Sequence, residues 1–203
     1  MCAKKYLIGV VAVAALVVGF LWGVSVGGRQ GQDIAAVAAT DGGAGEAVPT
    51  IPEYINIRGQ QYSTDLTKLV LPLDLTDEEI QPLQYMVNLR VLDLHSNQIT
   101  DITPLANLTG LVDLTLADNQ LSDISALASL TNLVRLDLSG NQLSDIAPLS
   151  NLPQLTRLYI IGNQISDVSP LADLSELYEL QLDSPPVSDW TPIQNVPLVS
   201  GGA

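Results

Sequence analysis

Hydrophobic residues recur along the second half of the chain with a period of 22 residues. Four consecutive copies of one pattern begin at Leu89, Leu111, Leu133 and Leu155. Counted from that first leucine, apolar residues occupy positions 1, 4, 6, 11, 14, 17 and 20 of every copy. Self-similarity at a fixed period of about 20 to 50 residues predicts a solenoid, in which each repeat buries its apolar face by stacking on its neighbours.

Each repeat is predicted to contain one strand and one helical turn. Positions 4 and 6 alternate with polar or small residues, which is typical of a short strand with one buried face. Such a strand can pair only with the equivalent strand of the next repeat. Positions 17 and 20, such as Leu105 and Leu108, follow a Ser/Thr-Pro step and lie three residues apart on one face of a short helical turn.

Two polar columns accompany the leucines. Because an amide carries donors and acceptors, asparagine at position 9 is predicted to satisfy backbone groups where the chain leaves the strand. Aspartate at position 13 precedes the helical turn and is predicted to accept local cap hydrogen bonds, with a metal-ligand array as the alternative. The columns are Asn97, Asn119, Asn141 and Asn163, and Asp101, Asp123, Asp145, Asp167 and Asp189.

The outer repeats are imperfect, as expected for the ends of an array. We predict about six repeats over residues 66–198, preceded by a cap at residues 51–65 and followed by a tail at 199–203. Pro185 and Pro186 replace Asn-Gln in the last copy and remove donors that a further repeat would use. An acidic cluster at residues 74–79 suits a helix N-terminus, and a calcium site is the alternative.

The consensus NQ(I/L)SD(I/V)xPLxxL over residues 66–198 resembles the bacterial internalin-type, 22-residue subclass of the leucine-rich repeat family. The resemblance implies a curved α/β solenoid with a parallel sheet on its concave face. Short 3-10 or helical turns would form the convex face. In that family the concave face or its rim usually binds another protein, so the resemblance implies a binding module.

The front of the chain carries a membrane signal. Residues 1–5 include Lys4 and Lys5, and residues 6–26 contain no charge. A bilayer core needs about 20 apolar residues in a helix, so we predict a single transmembrane signal-anchor helix at 6–26. Cleavage after Gly27 or Ala38 is the alternative, because small residues have the required spacing there. The lysines predict a cytoplasmic N-terminus, a Gly/Ala-rich linker at 27–50, and repeats in the periplasm or outside the cell.

Charge and candidate chemistry exclude several function classes. All 22 acidic residues follow residue 29, together with only five basic ones, so a nucleic-acid partner is not expected. His95 is the only histidine and Cys2 the only cysteine, and they lie far apart in the sequence. Neither has the neighbours that a metal site or a nucleophile requires. We therefore expect no catalysis, no cofactor and no small-molecule substrate.

Strand positions 3, 5 and 7 face away from the core and differ from repeat to repeat. At the centre of this surface we predict a protein-binding patch, because tyrosine and arginine are enriched at interface hot spots. Alternatively, its arginines pair with Asp113, Asp137 or Glu179 and only keep the sheet soluble. The patch consists of Arg135, Asp137, Arg157, Tyr159 and Ile161.

The predicted function is therefore a membrane-anchored, extracytoplasmic interaction module of a bacterial cell envelope, used for adhesion or scaffolding. The alternative is a secreted binder released by signal-peptide cleavage, including a host-directed one, which the resemblance implies.

Overall fold

The computed structural model describes residues 51–183 and 187–200. The predicted cytoplasmic end, anchor helix and linker at residues 1–50 lie outside these ranges, as do the prolines at positions 185 and 186 and residues 201–203. Within the described ranges, no helix combines the length and the apolar character that crossing a bilayer requires.

The described residues form a hairpin and a parallel sheet of seven strands. In the sheet each strand pairs with the next one along the chain, from β3 to β9, and the antiparallel hairpin consists of β1 and β2. The predicted parallel sheet is therefore confirmed. The strands are β1 (Tyr54–Ile57), β2 (Gln60–Ser63), β3 (Lys68–Val70), β4 (Val91–Asp93), β5 (Asp113–Thr115), β6 (Arg135–Asp137), β7 (Arg157–Tyr159), β8 (Glu179–Gln181) and β9 (Leu198–Ser200).

Alternation along each strand fixes which face is buried. Leu92, Leu114 and Leu136 are direct cross-strand partners at position 4, and all three are buried. Their neighbours at positions 3 and 5 stay partly exposed on the other side of the sheet. Since a one-residue slip would turn this leucine column to solvent, the repeated pattern fixes the register.

Short helices line the opposite side of the core. One turn of α-helix, α1 (Asp77–Ile80), is followed by a 3-10 helix, and each later repeat carries one 3-10 helix of three or five residues. Proline opens all of these 3-10 helices except the one at Ser125–Ser129. Leu105 and Leu108 are fully buried, which confirms the predicted packing of positions 17 and 20. The 3-10 helices are Gln81–Tyr85, Thr103–Leu105, Ser125–Ser129, Ala147–Asn151, Ser169–Leu171 and Thr191–Ile193.

The asparagine column is a buried ladder of hydrogen bonds, as predicted. The side-chain oxygen of Asn119 accepts the backbone N–H of Ile99 in the preceding repeat at 3.1 Å. Its amide nitrogen donates to the carbonyl oxygens of Leu94 at 2.9 Å and Leu116 at 3.1 Å. Asn141 and Asn163 repeat this arrangement. Asn97 also accepts a backbone N–H of the preceding repeat, that of Leu75, but its amide nitrogen donates only to carbonyl oxygens of its own repeat. Each asparagine thus joins two repeats through groups that would otherwise lie unpaired in the core.

The aspartate column caps the 3-10 helices, which confirms the interpretation as local acceptors. Asp123 accepts the backbone N–H of Ser125 at 2.7 Å, and Asp167 accepts that of Ser169 at 2.8 Å. Asp101, Asp145 and Asp189 make the same contact two residues on. Hydrogen bonds from the backbone N–H and the side chain of Ser169 lower the pKa of the Asp167 carboxyl. The side chain of Thr191, followed by its backbone N–H, lowers the pKa of the Asp189 carboxyl in the same way.

The residues at position 8 share a backbone conformation although their side chains differ. Ser96, Asp118, Gly140 and Gly162 all have positive φ, between 55° and 73°. At Gly162 a Cβ atom would lie 3.2 Å from the backbone nitrogen of Gly140, so the two glycines allow adjacent repeats to approach closely.

The hairpin caps the first repeat. Ile55 and Ile57 are buried in the same core as the repeat leucines. Arg58, in the hairpin turn, donates from Nε to Glu79 Oε1 at 2.6 Å and from Nη2 to Glu79 Oε2 at 2.9 Å. Glu79 also accepts the backbone N–H of Thr76 at 3.0 Å, which forms a capping box at the start of α1. The acidic cluster thus forms a helix N-terminus, as interpreted from the sequence.

At the other end the sheet continues one strand beyond β8. Leu198–Ser200 forms β9, which pairs in parallel with Glu179–Gln181. The sequence analysis assigned residues 199–203 to a tail and did not predict this strand. The reason is that β9 follows the preceding strand by 19 residues, whereas the inner strands follow one another by 22.

Candidate protein-binding face

The exposed sheet face consists of the outward side chains at positions 3, 5 and 7, and it contains the whole predicted patch. Arg135 and Asp137 belong to β6, and Arg157 and Tyr159 belong to β7. Arg135 lies opposite Arg157, and Asp137 lies opposite Tyr159. Ile161 follows β7, and its carbonyl oxygen accepts the backbone N–H of Gly140 at 2.7 Å. The fold therefore places four of the five residues on two neighbouring strands and Ile161 directly after the second of them.

Arg135 is held from three sides. Its Nη1 donates to Asp113 Oδ1 at 3.0 Å, and its Nη2 lies 3.9 Å from Asp137 Oδ2. Its guanidinium carbon lies 5.2 Å from the centre of the Tyr159 ring, within the range of a cation–π interaction. Partial burial lowers the pKa of Arg135, but the hydrogen bond and charge of Asp113 outweigh that effect and raise the pKa.

Arg157 is held much less firmly. Its Nε lies 3.6 Å from Glu179 Oε2, which is longer than a hydrogen bond. Its side chain is 54% exposed, against 34% for Arg135. Both arginines thus have carboxylate neighbours on adjacent strands, as the alternative interpretation predicted. Only Arg135 makes a hydrogen bond that a ligand would have to break, so Arg157 is the more available cation.

Aspartates at position 5 bond back to their own strand ends. Asp137 Oδ1 accepts the backbone N–H of Ser139 at 3.1 Å, and Asp93 Oδ1 accepts that of His95 at the same distance. His95 Nδ1 also lies 2.8 Å from Asp93 Oδ1, so the histidine is part of a local pair on the sheet face. These hydrogen bonds hold the backbone where each strand ends. Both carboxylates therefore already have partners within the chain in the absence of a ligand.

Two residues with structural roles were not identified by sequence reasoning. Asp183 accepts the backbone N–H of Gly162 at 2.5 Å. In the inner repeats a position-7 carbonyl of the next repeat accepts this bond, as Ile161 does for Gly140. Arg58 is the second, because its bond to Glu79 spans 21 residues. The signal for Asp183 was its place at the last regular strand exit, where a side chain replaces a carbonyl.

Metal binding finds no support from the geometry. Across residues 51–183 and 187–200, no three His, Cys, Asp or Glu side chains are grouped so that they could hold an ion. In the acidic cluster, Asp77 accepts bonds from the backbone N–H and the hydroxyl of Thr100, while Glu79 binds Arg58. Both carboxylates are therefore used within the fold.

Comparison with known proteins identifies similar repeats. The family model for leucine-rich repeats (two copies) matches residues 87–129, 109–151 and 131–173. An internalin of Listeria monocytogenes, InlF, is 35% identical, with a TM-score of 0.65 over 71% of this chain and 45% of that one. The chain thus spans less than half the length of InlF.

Two further solved structures are similar over much of the chain. Internalin C2 of Listeria monocytogenes is 30% identical, with a TM-score of 0.50 over 71% of this chain and 86% of that one. A leucine-rich repeat protein of Leptospira interrogans is 29% identical, with a TM-score of 0.57 over 62% of this chain and 33% of that one. No curated protein matches the sequence.

Proposed function

Because this chain belongs to the internalin-type leucine-rich repeat family, we propose that it is a non-catalytic module that binds another protein through its exposed sheet face. The module acts in adhesion or in scaffolding of a bacterial envelope. It is held outside the cytoplasm by the apolar segment at residues 6–26, with the N-terminus in the cytoplasm.

The observation that carries the binding proposal is the centre of the sheet face. Recurring residues are used by the fold, because the leucines fill the core, the asparagines link repeats and the aspartates cap helices. Arg157, Tyr159 and Ile161 have no such repeated role. They combine an available cation, an aromatic ring and an aliphatic side chain, which are features of interface hot spots.

A capture experiment tests the binding face. The immobilised chain is incubated with solubilised envelope proteins of the producing cell, and retained proteins are identified by mass spectrometry. The double variant Arg157→Ala/Tyr159→Ala should retain at least about tenfold less of the partner, since hot-spot truncations cost about 2 kcal/mol or more. Its melting temperature should stay nearly unchanged, because both side chains reach solvent.

The matched control removes the same two residue types elsewhere. Tyr85 and Arg90 are both exposed and lie outside the sheet face. The variant Tyr85→Ala/Arg90→Ala should capture the partner as well as the unchanged chain does. Equal capture by both double variants would refute the proposed binding face.

The second candidate is a secreted binder, including one directed at a host protein. Small residues at 25–27 and 36–38 favour it, because they have the spacing that a signal peptidase needs. Mass measurement of the mature protein separates the two candidates. An intact N-terminus supports the anchor, whereas a start near Gly28 or Ala39 would overturn it.

A further inference from the structure

The carboxylates of the exposed sheet face accept hydrogen bonds inside the chain. Two accept the backbone N–H at the exit of their own strand, one accepts a backbone N–H of the preceding repeat, and two accept side-chain donors. Across positions 3, 5 and 7 of residues 66–183, where the structure describes this face, each carboxylate therefore has a partner. The five are Asp93, Asp137, Asp183, Asp113 and Glu179.

Arg157 offers charged donors on the same face. Glu179 Oε2 lies 3.6 Å from its Nε, on one side of the guanidinium. Within residues 51–183 and 187–200, neither Nη group of Arg157 makes a hydrogen bond. Two such groups can hold a carboxylate through a pair of parallel bonds. The centre of the face thus provides charged donors for an anion, while its own anions already have partners.

Two side chains with apolar surface lie beside this guanidinium. Tyr159 is on the same strand and Ile161 directly follows it, and both are partly exposed. Side chains two residues apart on a strand share one face and lie about 6.6 Å apart. Arg135 positions the ring, because its guanidinium carbon lies 5.2 Å from the ring centre. A partner that places an acidic side chain on Arg157 therefore meets an aromatic ring and an aliphatic side chain next to it.

A basic side chain fits this part of the face less well. Arg135 and Arg157 are direct cross-strand partners, so two cations already lie side by side. The net charge of −14 attracts a basic protein to the surface as a whole, but it does not favour this patch over other places. An opposite charge at Arg157 would distinguish binding here from that general attraction.

The same net charge limits how acidic the partner segment can be. A phosphate group carries about −1.5 to −2 at neutral pH, and a run of carboxylates also carries more than one charge, so the chain repels both more strongly than it repels a single carboxylate. Glu179 adds to this repulsion at short range. The patch therefore fits one acidic side chain in a segment that is otherwise neutral or apolar.

We propose that the partner docks one aspartate or glutamate side chain on the Nη groups of Arg157, with a large apolar side chain beside it against Tyr159 and Ile161. This inference rests on the proposed protein-binding face and names the chemistry of the partner at that face. Arg157 selects the partner by charge, whereas Tyr159 and Ile161 add contact area.

Selection from random peptides displayed on phage tests the face and its chemistry separately. The library is selected on the immobilised full chain, and the retained peptides are then tested on the double variant Arg157→Ala/Tyr159→Ala. Peptides that need these two side chains should be recovered. Their complete absence would refute the binding face, and this inference with it.

The sequences of the face-dependent peptides test the charge assignment. A single Asp or Glu next to a large apolar residue should be enriched over the unselected library. Face-dependent peptides without that enrichment, or enriched in Lys or Arg, would overturn the charge assignment and leave the binding face standing.

Charge reversal measures the contact with one defined peptide. A synthetic copy of the most enriched peptide should bind Arg157→Glu at least about tenfold more weakly than the unchanged chain, because two carboxylates then face each other. A second peptide, with Lys in place of the acidic residue, should bind Arg157→Glu better than it binds the unchanged chain. Equal binding of the first peptide to both chains would contradict the contact.

Lys68→Glu is the matched control. Lys68 occupies position 3, as Arg157 does, and is exposed, but it lies four strands away on β3. Four strand spacings of about 4.8 Å exceed the Debye length at physiological ionic strength, so this variant should bind the first peptide within about twofold of the unchanged chain. An equal loss through Lys68→Glu would show that net charge, and not a contact, controls binding. Melting curves of both variants separate a loss of binding from a loss of fold.

Discussion

Removal of one asparagine from the buried ladder should cost more stability than its size suggests. In the variant Asn119→Ala, the backbone N–H of Ile99 loses its acceptor at a site where Asn119 is only 7% exposed. The carbonyl of Leu94 still receives a bond from Asn97, and that of Leu116 still receives one from Asn141. One buried donor is thus left unpaired, which costs about 1–3 kcal/mol of unfolding free energy.

Urea unfolding followed by circular dichroism measures this cost. The midpoint should shift to lower urea with an unchanged slope, since the variant does not alter the surface that unfolding exposes. The neighbouring variant Gln120→Ala is the control, because Gln120 is exposed, and it should stay within about 0.5 kcal/mol of the unchanged chain. If Asn119→Ala costs no more than Gln120→Ala, the ladder does not stabilise the fold as described.

The loss of unfolding free energy should also depend on where the substituted asparagine lies in the ladder. Asn163 makes the equivalent bonds to Leu143 and Leu138, but it is only partly buried. Water can reach the groups that Asn163→Ala leaves unpaired, so this variant should cost less than Asn119→Ala. The same urea experiment compares the two. An equal or larger loss at Asn163 would show that burial does not set the cost.

Two further changes test the backbone and the cap. Gly162→Ala should lower the free energy of unfolding by about 1–2 kcal/mol, because φ is +73° and the new Cβ would lie 3.2 Å from Gly140 N; an unchanged melting temperature would contradict this. The bonds from Arg58 and Thr76 lower the pKa of Glu79 from 4.5 to about 2. Its contribution is therefore complete above pH 4.5 and is lost as the pH falls from 4.5 towards 2. Unfolding at pH 6 and pH 2 should show a smaller pH effect in Glu79→Gln, and equal effects in both chains would refute this.

The sequence predicted what every repeat shares. A leucine at position 4, an asparagine at position 9 or an aspartate at position 13 meets the same surroundings in each copy, so one interpretation serves for all. Position 8 shows the limit of this reasoning. Ser96, Asp118, Gly140 and Gly162 share a positive φ but have different side chains, so this column is visible only in the structure.

Features that depend on a single copy were less predictable. The bond from Arg58 to Glu79 joins a hairpin turn to a helix, and no spacing in the sequence indicates it. Strand β9 follows β8 by 19 residues and not by 22, and it lacks the repeat's leucine pattern, so its place is set by pairing with β8. Both features lie at the ends of the described repeats, outside the 22-residue period.

The two arginines of the sheet face illustrate the same distinction within the candidate site. Their sequence positions are equivalent, yet Arg135 has Asp113 on one side and Tyr159 on the other, whereas Arg157 has a single, more distant partner in Glu179. Arg135 therefore helps to hold the Tyr159 ring in place. A ring and a cation that are already positioned lose less conformational freedom on binding than free side chains do. In the proposed interface, Arg135 thus acts through Tyr159, and Arg157 is the residue that can contact a partner directly.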